Sequence, residues 1–313
     1  MMKRFLALLA VVMMGVSVGA QATRVVRVTS EAFTESEILA QMVRLMLESE
    51  GIPTESNMRF GYTEANRNSL LNGFSDVYVE YTGTALFNFF SDVAWFDLER
   101  VNTRDPLAIY ATVAQLDAVL YNHIWLQPAP ASNAYGVVVS RAFADAHNLR
   151  TMSDFAAYVN ANNGGDVLLV SDETFASSPD AFPRFEERYG FDLNAQNLFV
   201  IAGATNAMAQ EAVSRNVNGI NAGMAFTTDA LISQYDLVLL EDDQDAQPFF
   251  QPAPVFRKEI LDAYPQVIGL LNPVFASLTD DVLRALNKRV DVDGLPAEAV
   301  ARAYLQENGF LGE

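Results

Sequence analysis

The chain has 313 residues, half of them hydrophobic, with 20 Lys and Arg against 39 Asp and Glu and a formal net charge of −19. That balance argues against binding to nucleic acid or to anionic membrane surfaces, which needs a positive face. Cysteine is absent, so disulfides cannot contribute and the fold must rest on apolar burial.

From the N-terminus, Lys3 and Arg4 precede a short apolar run, Phe5 to Val18, and Ala20-Gln21-Ala22 has the small-x-small form of a signal-peptidase site. Residues 1–22 therefore read as a cleaved secretory signal. Its removal takes away two cations and no acid, which leaves −21. No later stretch reaches the ~18 apolar residues of a membrane span. With no Cys after the signal to carry lipid, the expectation is an untethered periplasmic protein of about 290 residues, long enough for two lobes.

Val25 to Val28 reads as a strand. Thr34 to Ser49 reads as a helix, with Ile38, Met42 and Leu45 on one face and Thr34 with Glu37 as a capping box. Val77 to Val79 is a second strand and Gly83 to Phe90 a short apolar helix; Asp105-Pro106 opens a longer helix that ends near Asn122. Gln127 to Ser132 is a Pro-rich break. Strand and helix patterns then alternate: Tyr135–Ser140, Val167–Ser171, Ala181–Tyr189, Leu198–Ile201, Asn206–Arg215 and Ala222–Phe226. A second break, Gln247 to Pro254, precedes four helices, Lys258–Tyr264, Gln266–Phe275, Thr279–Val290 and Pro296–Asn308. The pattern is α/β, with mixed sheets flanked by helices. Two breaks imply a lobe left and re-entered: lobe 1 over 23–131 and 250–313, lobe 2 over 132–249. Ligands of such molecules sit in the cleft between lobes, which closes by hinge bending.

Catalytic and metal signatures are missing. The two histidines, His123 and His147, lie far apart; there is no Walker loop and no GxGxxG opening a helix. One GxSxG match, Gly15 to Gly19, falls inside the signal, without strand–turn–helix context. The acidic run Glu241 to Asp245 lacks EF-hand spacing and reads as a solvated loop. No enzyme, cofactor or metal is expected.

Five segments carry more: Ser30 to Glu35, Asp76 to Thr84, Ser132 to Tyr135, Ala225 to Asp229 and Pro248 to Val255. In order and spacing they resemble the osmoprotectant-binding proteins of ABC importers, the glycine betaine/choline family of ProX and OpuAC type. Ile124 to Pro130 and Asn272 to Leu278 look like its OsmF/YehZ branch. The resemblance implies a type II periplasmic-binding-protein fold with two hinge crossovers, an ABC permease and its ATPase as partners, and a monomer that hands over a quaternary-ammonium ligand. Such a head donates no N–H bond and is held by the negative faces of aromatic rings. Position by position, Tyr81 and Tyr135 match cage tyrosines. Phe226 and Phe250 stand where the family commonly has Tyr, keeping the ring and losing a hydroxyl. Thr84 and Asn133 match polar contacts, an N-terminal helix cap being the alternative or second role of Thr84; Thr227-Thr228-Asp229 is expected to cap the next helix and order the cleft wall.

Two positions depart. Where the family holds a betaine carboxylate with Lys and Arg, this chain has Glu31 and Ser178. The expectation is a ligand without a carboxylate, such as choline, or weak betaine binding, unless Glu31 turns to solvent or Arg184 supplies the charge. A polyamine or other organic cation, an enzyme reusing the cleft, and a ligand sensor for a membrane partner are the alternatives. Trp95 and Trp125 are candidate fluorescent reporters.

Overall fold

The computed structural model describes residues 24–312; the signal expected over 1–22 lies outside them. The chain enters as β1 (Val26–Glu31), α1 (Thr34–Ser49), β2 (Thr54–Gly61), α2 (Thr63–Leu71), β3 (Val77–Tyr81), α3 (Thr82–Phe89), α4 (Pro106–Tyr121) and β4 (His123–Trp125). Then follow β5 (Tyr135–Ser140), α5 (Arg141–His147), α6 (Met152–Asn162), β6 (Leu169–Ser171), α7 (Glu173–Ser177), α8 (Phe182–Tyr189), β7 (Leu198–Val200), α9 (Asn206–Ser214), β8 (Ala222–Phe226), α10 (Leu231–Gln234) and β9 (Leu237–Leu239). The last part holds β10 (Pro252–Arg257), α11 (Lys258–Ala263), α12 (Gln266–Ala276), α13 (Asp280–Asp291) and α14 (Ala297–Glu307).

The strands form two five-stranded sheets, ordered β2-β1-β3-β10-β4 and β7-β6-β8-β5-β9. Both have the same plan. Three parallel strands, in the order second, first, third, are followed by one antiparallel strand that enters from the other half of the molecule. That strand is β10 in the first sheet and β5 in the second. The exchange makes a type II periplasmic-binding-protein fold of two lobes.

Period-two alternation fixes which face each strand buries. On β3, Val77 and Val79 join the core beneath α1, α12 and α14, while Tyr78 joins the opposite core with Leu86, Ile109 and Val113. On β10, Phe256 faces the first core and Ala253 and Val255 the second. The second sheet has its own core, drawn from residues between Val137 and Ala246. Among the described residues no helix is long and apolar enough to cross a membrane.

Caps explain several boundaries. Asp105 accepts from Leu107 N, Pro106 opens α4, and Asn122 closes it in the left-handed region at φ 56°. Thr279 caps α13 by accepting from Val282 N. Some expectations fail. Phe33, not Thr34, holds the cap position of α1, and no side chain caps it; Thr34 donates to Asp291 at 2.6 Å and Glu37 pairs with Arg59 at 2.6 Å. The break expected over 247–254 ends earlier, because Pro252 to Pro254 already pair with β3. The acidic run is a tied loop: Asp242 accepts from Tyr189, Ala246 and Gln247, and Asp243 from Ser153 N.

The two crossings run side by side. Asn133 N donates to Phe250 O at 3.0 Å, and Phe250 N to Ser132 Oγ at 3.0 Å.

Candidate ligand-binding site

A cavity of about 820 Å³ lies where the C-terminal ends of β1, β3 and β8 meet the crossings. Strand ends and helix starts project side chains into such a crevice. All eight residues singled out from the sequence line it: Glu31, Tyr81, Thr84, Asn133, Tyr135, Ser178, Phe226 and Phe250.

The aromatic wall follows from pairing and register. Tyr81 ends β3 and occupies the cap position of α3, so Thr84 lies inside that helix and does not cap it. Tyr135 opens β5 directly opposite Phe226, the last residue of β8, and their ring centroids are 5.1 Å apart. Tyr135 meets Phe250 at 6.5 Å and is backed edge-on by buried Phe175 at 5.6 Å. Phe33, which the sequence reading passed over, links the two sides: it lies 5.9 Å from Tyr81 and 6.3 Å from Phe226. Its signal was its place between a strand end and a helix start within Ser30 to Glu35.

Segment Tyr81-Thr82-Gly83 does three jobs. Tyr81 supplies a ring. Thr82 Oγ1 donates to Phe249 O and accepts from Gln251 N, both at 3.1 Å, which clamps the returning crossing against α3. Gly83 leaves room for Phe250: a Cβ there would stand 2.8 Å from its ring and 2.9 Å from Phe249 O.

Beneath the wall lies Glu35, buried at 3% exposure. Its Oε1 accepts from Tyr81 Oη at 2.9 Å and Asn133 Nδ2 at 3.0 Å, and its Oε2 from Asn287 Nδ2 at 2.9 Å. Burial pushes its carboxyl up, and the bonds from Asn287, Thr228, Tyr81 and Asn133 oppose that shift. Asn287 also reaches Thr228 O, so this group joins the first lobe, a crossing and the second lobe.

The turn after β8 orders the wall without capping a helix. Asp229 accepts from Phe226 N, Asn206 and Gln210, and burial raises its carboxyl to about 6. Thr227 donates to Ser132 O at 2.8 Å and accepts from Ala134 N. α10 instead begins after Ala230 with no side-chain cap.

Electrostatically the cavity is acidic: eight carboxylic side chains line it against one guanidinium, Arg59, already bonded to Glu37 and Thr34. Glu31 faces the cavity at 4% exposure and does not turn to solvent. Arg184 is spent on Glu187 and Ala246 O, outside the lining. Ser178 bonds to Asp180. Tyr62 stands at the rim, 71% exposed. Neither tryptophan lines the cavity; Trp125 is buried on the far face and bonds Asp117, and Trp95 is exposed. Among the described residues no cluster of His, Asp or Glu could hold a metal ion.

Residues 24–307 match the family described as the substrate binding domain of ABC-type glycine betaine transport systems. The chain belongs to this family. It is 36% identical over 302 residues to the glycine betaine-binding protein YehZ of Escherichia coli, covering 96% of each chain. The solved apo structure of YehZ from the same organism superposes with a TM-score of 0.72, covering 91% of this chain and 99% of that one. A structure described as a glycine betaine/carnitine/choline ABC transporter has a TM-score of 0.74 at 23% identity, covering 91% and 99%, and speaks for the fold alone. Members of this family are substrate-binding components of transport systems, and the Escherichia coli relative is a binding protein.

Proposed function

We propose that the chain captures a small quaternary-ammonium compound in the periplasm, as a monomer, and delivers it to an ABC permease driven by its ATPase. Lobe 1 comprises 23–131 and 250–313 and lobe 2 comprises 132–249, with hinges at the two crossings. The observation that carries this reading is the ring wall: Phe33 and Tyr81 from the first lobe, Phe226 from the second, and Tyr135 and Phe250 beside the crossings, all on one acidic cavity. Ring faces attract a desolvated trimethylammonium by about 0.5–2 kcal/mol each, and closure around it joins the lobes. Thr84, Asn133, Glu31 and Ser178 are the polar contacts of the proposed site.

Calorimetry with tetramethylammonium, choline and glycine betaine tests the reading. At least one binds stoichiometrically, and Tyr135→Ala weakens it about ten-fold or more, since one desolvated cation–π contact is worth up to ~2 kcal/mol. Failure of all three to bind, with the protein folded, refutes it.

A further inference from the structure

We propose that Glu31 is a specificity-determining ligand contact, and that the cavity selects a quaternary amine whose other end carries an O–H or N–H donor and no carboxylate. The proposal rests on the cage reading above and names the class of compound that the cage takes.

Four buried side-chain atoms in the cavity lining have no hydrogen-bond partner: Glu31 Oε1, Asn133 Oδ1, Gln210 Oε1 and Asn287 Oδ1. Their residues are all at least nine-tenths buried. All four atoms are oxygens. The amides are not free to flip and become donors, because each NH2 is committed to a carboxylate: Asn133 and Asn287 to Glu35, Gln210 to Asp229 at 2.6 Å. Among the described residues the lining has no unpartnered buried side-chain donor.

A buried acceptor left unpaired costs free energy, so a complementary ligand brings donors to it. A trimethylammonium head has none; they must come from the rest of the molecule. Glu31 is the strongest of the four acceptors. Its Oε2 accepts from Thr63 Oγ1 at 3.1 Å, and its Oε1 remains. Ionised, it attracts an O–H, an N–H or a second positive centre, and it repels a carboxylate. Neither Arg59 nor Arg184 offsets that repulsion, because both guanidiniums are engaged elsewhere.

Calorimetry of the whole protein at pH 8 decides it. Tetramethylammonium reports the cage alone; choline adds an O–H; glycine betaine adds a carboxylate. Choline should bind about ten-fold tighter than tetramethylammonium, the worth of one hydrogen bond to a charged acceptor, and betaine no tighter than tetramethylammonium. Glu31→Gln should shrink the choline advantage to within about three-fold, because a neutral acceptor bonds more weakly. Glu31→Lys should reverse the order, with betaine ahead. Equal affinities for choline and tetramethylammonium, betaine binding tightest, or an advantage intact in Glu31→Gln would each overturn the proposal and leave the cage reading standing. Silence from all three ligands would end both. If Glu31→Lys does not fold, the wild-type series and Glu31→Gln still decide.

Discussion

If it is the contact proposed above, Glu31 couples ligand to proton through a single carboxyl. Burial raises it to about 7 from the ordinary 4.5, against the opposing bond from Thr63. The titratable groups that sense it are Glu80 and Tyr81 on β3 and Tyr135 on β5, none of them a cation. Burial, then the nearby Glu31, holds Glu80 well above the carboxylate range. A raised carboxyl means that the folded state holds more protons than the unfolded chain. The stability this gives is complete below about 4.5 and is lost as pH climbs through about 7. A bound cation favours the ionised form, so its binding near pH 7 should release protons. Calorimetry of choline binding in two buffers of different ionisation enthalpy measures this; release should fade by pH 9, and proton uptake at pH 7 contradicts the argument. This residue was half legible in the sequence. The exchange of a family Lys for Glu was visible, but its burial, its orphan oxygen and the lack of a rescuing arginine depend on packing.

At the level of elements, Gly83 has the most exacting place. Its α3 position needs no special backbone angle; the constraint is the ring of Phe250 and the carbonyl of Phe249 pressed against it. Gly83→Ala should push the crossing off α3, cost about 1–3 kcal/mol as overpacking does, and weaken ligand binding by moving Phe250. Denaturant titration with calorimetry checks both, and unchanged stability would show that the contact yields. Elements with ordinary signals were readable: Asp105-Pro106 and Asn122 bracket α4 because cap chemistry is local. β2 escaped because it is an edge strand largely exposed on both faces, so it has no apolar alternation. α2 escaped because its buried face is mostly polar, Asn66, Arg67 and Ser69 beside a single Leu70. Arg67 alone shows why: it bonds both oxygens of buried Asp117 at 2.8 and 2.9 Å and stacks on Phe89 and Tyr121. Phe33 was missed for the opposite reason. One aromatic in a loop carries no periodicity, and its neighbours, Tyr81 and Phe226, come from distant segments that only the fold brings to it.

Across the whole molecule, bonds between the lobes set how far the cleft opens. Arg284 on α13 donates to Thr227 O at 3.1 Å, across to the turn after β8, and lies outside the cavity lining. Arg284→Ala should leave every ligand contact in place and depopulate the closed form. The expected result is a larger ligand-free radius in small-angle scattering, an unchanged radius with choline bound, and about five-fold weaker affinity, the equivalent of ~1 kcal/mol. Equal radii without ligand would refute it. The pairing of the two crossings has one more consequence. Asn133 and Phe250 sit on the two backbone strips that carry the proposed hinges, and Tyr135 opens the strand after the first of them. Under the proposed function, a transporter that pries the two halves apart would pull the rings of both lobes off the cargo in the same movement, and unloading would need no separate trigger inside the protein.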